Sequence, residues 1–154
     1  MRSEPAMANP VHDHLSLSAA ARRGCGLDQS ELLRLVAVAR DAAQAGAEPL
    51  RRLFGQLEHI RAKGEAGNLV TEADLAAESA VLAVLEQHTP HFPVLAEESG
   101  RRSGQGDLEW CVDPLDGTTN YAHGFPVFAT SVGLLWRGLP LLGALELPAL
   151  EQRF

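Results

Sequence analysis

Thiols are scarce in this chain: Cys25 and Cys111 are the only two, one beside a glycine-rich break and the other inside an apolar run. So placed, they form neither a disulfide framework nor a zinc-ligand spacing, and they fit a reducing compartment. Positive charge is also short, with 13 Lys and Arg against 20 Asp and Glu and a formal net charge of -7. It gathers locally only in short pairs such as Arg22-Arg23 and Arg51-Arg52. Such a chain repels nucleic acid and anionic membrane surfaces. It can still hold a phosphate, but only through a local device such as metal ions or a helix N-terminus. Long hydrophobic runs are missing as well. Residues 1–17 contain no apolar stretch of signal-peptide length, and no later segment is long enough to cross a bilayer, so a soluble, cytoplasmic protein is expected. No internal repeat is visible.

What is present suits one globular domain: 154 residues, 45% of them hydrophobic and 21% charged. Residues 1–30 mix Pro, His, Ser, Ala and Gly without a sustained apolar period and read as a disordered tail. His12 and His14 around Asp13 read there as solvated residues rather than as a metal site. The fold is expected over 31–154. Leu32, Val36, Ala39, Ala43, Ala47, Leu50, Phe54 and Leu57 recur at three- and four-residue spacing, which predicts a core helix. Pro49 lies inside that pattern and predicts a kink or break near Gly46. A second helix is predicted from Thr71, where Thr71-Glu72-Ala73-Asp74 has capping-box spacing ahead of Leu75, Leu82 and Leu85; it should end near residues 88–90. Short strands are predicted at 94–96, 110–112, 127–135 and 141–147, with a turn at Arg137-Gly138. Helices followed by a run of strands make an α+β layered domain the expected class.

Two of these strands run into acids. Val94-Leu95-Ala96 leads to Glu97-Glu98, and Trp110-Cys111-Val112 leads to Asp113, with Asp116 just past Pro114-Leu115. Carboxylates clustered at the ends of buried strands repel one another and are costly to desolvate, which implies a neutralising cation. With oxygen donors only, that cation should be hard, and magnesium suits a site that a phosphate completes. The alternative is that each acid separately caps a helix or opens a turn, as Asp116 before Gly117 well can. The continuation Gly117-Thr118-Thr119-Asn120 favours the functional reading. Gly117 allows close backbone approach, and the amides of Gly117 and Thr118 can open a helix toward a phosphate.

Residues 110–126, WCVDPLDGTTNYAHGFP, closely resemble the signature of the inositol monophosphatase family. Residues 95–100, LAEESG, resemble its upstream metal motif, and residues 68–78, NLVTEADLAAE, resemble a third segment that usually carries Asp where this chain has Asn68. Three ordered motifs are far more specific than one.

The resemblance implies an α+β layered domain with a mostly antiparallel sheet, corresponding to the N-terminal half of the family's αβαβα sandwich. It implies Mg2+ as cofactor, bound by Glu97, Asp113 and Asp116 through carboxylates and by Leu115 through its carbonyl, with Asp113 bridging two ions. Thr118, paired with Asp74, would be catalytic, while Asp74 also suits a capping role. Asp116, Gly117 and Thr118 would contact substrate. Glu98 can support a further ion or be a solvated neighbour, and Lys63 lies near the family's active-site loop or is simply a surface lysine. The implied reaction is lithium-sensitive hydrolysis of a small phosphate monoester by metal-activated water, with inositol 1-phosphate the first candidate. Histidinol phosphate, fructose bisphosphate or a nucleotide 3',5'-bisphosphate are the other candidates. A homodimer is compatible with a full-length form. Family members continue beyond the counterpart of Phe154. The chain by itself is therefore expected to be a poor phosphatase, a metal- or phosphate-binding fragment or a subunit needing a partner chain. It should associate through 127–135 or 141–147.

Overall fold

The computed structural model describes residues 19–56, 60–62 and 69–154. Lys63, Asn68, Leu57 and the tail residues His12, Asp13 and His14 lie outside them. Order begins before residue 31, in a six-residue helix α1 (Ala19–Gly24) whose Ala21 is fully buried. A helix of under two turns is too short to show an apolar period, which is why composition alone reads it as tail. Helix α2 (Gln29–Leu53) follows, N-capped by Asp28, whose Oδ1 accepts the Glu31 amide at 2.9 Å.

The buried face of α2 is Leu35, Val38, Ala39, Ala42, Ala43, Gly46, Ala47, Pro49 and Leu50. The expected break near Gly46 does not occur, and the helix runs through Pro49 to Leu53. Pro49 falls within the last two turns, where one forfeited backbone bond is offset by burial on both sides of it. Gly46 is a contact glycine instead: a Cβ there would lie 2.6 Å from Val81 Cγ2 and 2.9 Å from Thr130 Cγ2.

After β1 (Ile60–Ala62) and β2 (Leu69–Thr71), an antiparallel pair, comes helix α3 (Glu72–His88). It buries Ala73, Asp74, Ala77, Glu78, Val81, Leu82 and Leu85, whereas Leu75, expected inward, is 56% exposed. Thr89 closes the helix by donating to Leu85 O at 2.8 Å, and its hydroxyl oxygen accepts Trp110 Nε1 at 3.0 Å.

The remaining strands are β3 (Val94–Ala96), β4 (Gly100–Arg102), β5 (Leu108–Asp116), β6 (Ala129–Trp136), β7 (Leu139–Leu147) and β8 (Gln152–Arg153), with helix α4 (Thr118–Ala122) between β5 and β6. They form one sheet in the order β4-β3-β5-β6-β7-β8, antiparallel throughout except for the parallel pair β3 and β5. The α+β class and mostly antiparallel sheet are as expected. Arg137 and Gly138, with φ of 49 and 79, turn β6 into β7, the positive angles a tight hairpin needs. Strand β6 is interior, whereas β8 covers only Glu146 and Leu147 of β7, so among the described residues 139–144 of β7 have no partner strand on their outer side. One edge is the short β4, where Arg101 and Arg102 put charge; the other is β7 with the two-residue β8 at its end.

Helix α2 packs on β6 and β7 and α3 on β5, burying the alternate residues Val94, Ala96, Trp110, Val112, Val132, Leu134 and Ala144. A second core gathers Leu50, Ala73, Ala77, Leu115, Tyr121 and Phe128 beneath the end of β5. No helix among the described residues is long and apolar enough to cross a membrane.

Candidate active site

Because β3 and β5 run parallel, both end at the same edge of the sheet. Ala96 is in register with Val112, and the ladder continues one step as the Glu97 amide donates to Val112 O at 3.1 Å. Glu97, just past β3, therefore meets Asp113. A β-bulge completes the arrangement. Asp113 pairs with Ser131 and Asp116 with Ala129, so Pro114 and Leu115 together oppose Thr130. Both bulge residues turn into the core, while Asp113 is half-buried and Asp116 exposed. The extra residue resets the strand's alternation and puts the two aspartates on one side of the chain, which strict alternation would forbid. Pro114 fits because a bulge leaves its missing N–H without consequence. Its carbonyl accepts the fully buried Thr130 hydroxyl at 3.0 Å.

Gly117 takes φ 90, and a Cβ there would stand 3.1 Å from Val127 O, so the turn needs glycine on both counts. It opens α4, which places Thr118 over α3. The Thr118 hydroxyl lies 3.3 Å from Asp74 Oδ1 and 3.0 Å from Leu115 O, two acceptors for its one proton. Asp74 is 1% exposed. Tyr121 anchors the far end of α4 by donating to Leu50 O at 2.8 Å, and its ring packs edge-on against Phe128 at 4.7 Å.

The Asp113 carboxyl is pushed up to about 7, first by burial, then by its hydrogen bond with Glu97 and the charges of Glu97 and Asp116; the Leu115 amide, donating to Asp113 Oδ1 at 3.1 Å, opposes the rise. These carboxyls crowd one another, a strain that a cation would relieve, and every donor is a hard oxygen. Among the described residues no group of three or more His, Cys, Asp or Glu is placed so that it could hold a metal ion. The donors are hard oxygens of the kind magnesium takes, but they are not gathered into a metal site.

The structure brings Glu97 onto Asp113, leaves Asp116 near enough to act on Asp113 through its charge, and sets Thr118 on Asp74. Lys63 lies outside the described residues. Glu98 is half-buried just past Glu97, with its amide directed to Glu78 Oε2 at 2.8 Å. Glu78 and Thr130 are the residues that sequence reasoning missed. A glutamate on the apolar face of α3, one turn after Asp74, was the available signal for the first; nothing in the sequence announces that a buried threonine will brace a bulge.

The profile of the Inositol monophosphatase family matches residues 31–154. The inositol-1-monophosphatase of Synechocystis sp. is 41% identical over 127 residues, 81% of this chain and 44% of that protein. The fructose-1,6-bisphosphatase/inositol-1-monophosphatase of Aquifex aeolicus is 38% identical over 125 residues, 80% of this chain and 47% of its own length. Among solved structures, the inositol monophosphatase from Anabaena (Nostoc) superposes with a TM-score of 0.68 at 37% identity, covering 80% of this chain and 44% of that one. The extragenic suppressor protein suhB from Bartonella henselae gives 0.70 at 32% identity, covering 81% and 47%. The chain thus spans a little under half the length of the relatives it matches.

Proposed function

This chain belongs to the inositol monophosphatase family, and from that premise we propose that it carries the metal- and phosphate-binding part of a magnesium-dependent phosphate monoester hydrolase. The observation that supports this best is the convergence of Glu97, Asp113 and Asp116 at the ends of two parallel strands, beside the Thr118–Asp74 contact. Glu97, Asp113, Asp116 and the Leu115 carbonyl would hold the ion, with Asp113 central because it is hydrogen-bonded to Glu97 and feels the charge of Asp116. Bound there, magnesium supplies charge neutralisation and activation of water toward the phosphorus.

The chain's own residues do the rest. Asp74, buried behind Thr118, accepts its hydroxyl proton and so turns the oxygen's lone pairs outward, where they can take a proton from attacking water. A threonine hydroxyl is too weak a base alone, and the carboxylate behind it makes the relay workable. Asp116, Gly117 and Thr118 line the position of the phosphate. The first substrate to test is inositol 1-phosphate, with fructose bisphosphate next, since the named activities of the Synechocystis and Aquifex relatives include these.

The chain's coverage of under half of those relatives favours a second reading, a fragment that binds metal and phosphate but needs further chain or a partner to turn over. Phosphate release from inositol 1-phosphate, with and without saturating magnesium, separates the two. Magnesium-dependent release abolished by Asp113→Asn supports the enzyme. Magnesium binding without release supports the fragment, and neither binding nor release contradicts both.

A further inference from the structure

We propose that Glu78 is a positioning residue of this site: its buried carboxylate fixes the turn at 97–99 and so directs Glu97 toward Asp113. The inference rests on the metal reading above and adds a residue to it. Glu78 is 4% exposed on the apolar face of α3, between Ala77 and Val81. A carboxylate there is costly to bury unless both oxygens are satisfied. They are, by main-chain donors from the site itself: the Glu98 amide reaches Oε2 at 2.8 Å and the Ser99 amide reaches Oε1 at 2.9 Å. With the Glu97 amide on Val112 O at 3.1 Å, three consecutive amides are held, one by the neighbouring strand and two by Glu78.

The backbone that carries Glu97 is therefore clamped on both sides. Without Glu78, the turn would keep the Val112 contact and the Ala96–Gly100 pairing that closes it, but would lose the two bonds that hold its Glu98 and Ser99 amides. Stability alone does not call for this residue, because an apolar side chain of similar volume between Ala77 and Val81 would avoid the desolvation cost. A carboxylate offers instead two directional, charge-assisted bonds to adjacent amides. Asp74 lies one helical turn earlier and meets Thr118. Helix α3 is thus a single rigid bar that sets both the Glu97 turn and the Thr118 hydroxyl, through two carboxylates on one face.

The test uses the full chain, with Glu78→Gln, which keeps the volume but leaves one oxygen acceptor and turns an NH2 toward the other amide. Amide exchange and proton shifts of Glu98 and Ser99 are read by NMR, and magnesium is titrated into wild type, Glu78→Gln, Glu78→Asp and Glu97→Gln. In Glu78→Gln those two amides should lose protection and move upfield, and magnesium affinity should fall about 10–100-fold, the range for groups that orient a ligand. Glu78→Asp, with both acceptors on a shorter arm, should fall between it and wild type and serves as the readout if Glu78→Gln does not fold. Loss of affinity in Glu97→Gln, with affinity and both amides unchanged on substitution of Glu78, overturns the inference and leaves the metal reading standing. No magnesium binding by wild type overturns both.

Discussion

The two faces of the six-stranded sheet are built from alternate residues of the same strands, yet they obey different rules. Toward α2 and α3 stand Val94, Ala96, Trp110, Val112, Val132 and Leu134, all buried. On the opposite face stand Leu95, Cys111, Asp113, Ser131 and Gly133, lining an open hollow into which Glu97 also reaches. The first face holds the fold together and asks only for apolar volume. The second carries carboxylates and small side chains whose arrangement costs stability, as the crowding of Asp113 shows. Chemistry sits on the face that the core does not need.

This contrast can be broken most forcefully at Trp110. Trp110→Ala removes the largest side chain of the helix-covered face together with its bond to Thr89, and should cost about 3–5 kcal/mol. Urea unfolding should show it; an unchanged midpoint would mean that the helices do not stabilise the sheet as described. At the candidate site, Thr118→Ala should lower turnover about 10²–10⁴-fold in any form of the protein that releases phosphate, while the urea midpoint hardly moves. Loss of the fold instead of the rate would make the Thr118–Asp74 contact structural.

Next comes pH. The folded chain holds the Asp113 proton more tightly than the unfolded one, about 7 against the ordinary 3.8. In metal-free protein the stability this group contributes is present below about pH 4 and is lost as pH rises toward about 7. Urea midpoints in chelator should fall across that window. Asp113→Asn should flatten the fall, and magnesium should raise the wild-type midpoint at the upper end. A midpoint that rises with pH and is indifferent to Asp113→Asn would remove the crowded-carboxyl picture. The smallest effect is expected at Leu95, 40% exposed between two buried neighbours: Leu95→Ser should change stability by no more than about 0.5 kcal/mol. A cost comparable to that of Trp110→Ala would show that the open face is not open.

Much of this was legible in the sequence because periodicity reports burial. The strands at Val94, Trp110, Val132 and Leu142 and both long helices followed from it. The strands β1, β2, β4 and β8 are only two or three residues long, too short to carry a period. Pro49 misled because its local preference was overridden by packing on both sides, and Gly46 because a glycine at a close contact looks like a glycine at a break. Of the candidate site, the acids were visible as residues, and their clustering was expected from the strand ends and the family resemblance, but the geometry that produces it was not. Their meeting depends on the parallel register of β3 with β5 and on the bulge opposite Thr130, and neither leaves a mark in composition. Glu78 escaped because its partners are backbone amides, which every residue but proline possesses.

The most direct test of the metal centre is calorimetric titration of magnesium into the wild-type chain and into Asp113→Asn at about pH 8, where Asp113 is ionised. Asp113 interacts with both other acids, by a hydrogen bond with Glu97 and through the charge of Asp116, so its loss should weaken binding more than that of Glu97 or Asp116, by at least about tenfold. Equal magnesium affinity in wild type and Asp113→Asn would contradict a metal centre built on the ends of β3 and β5.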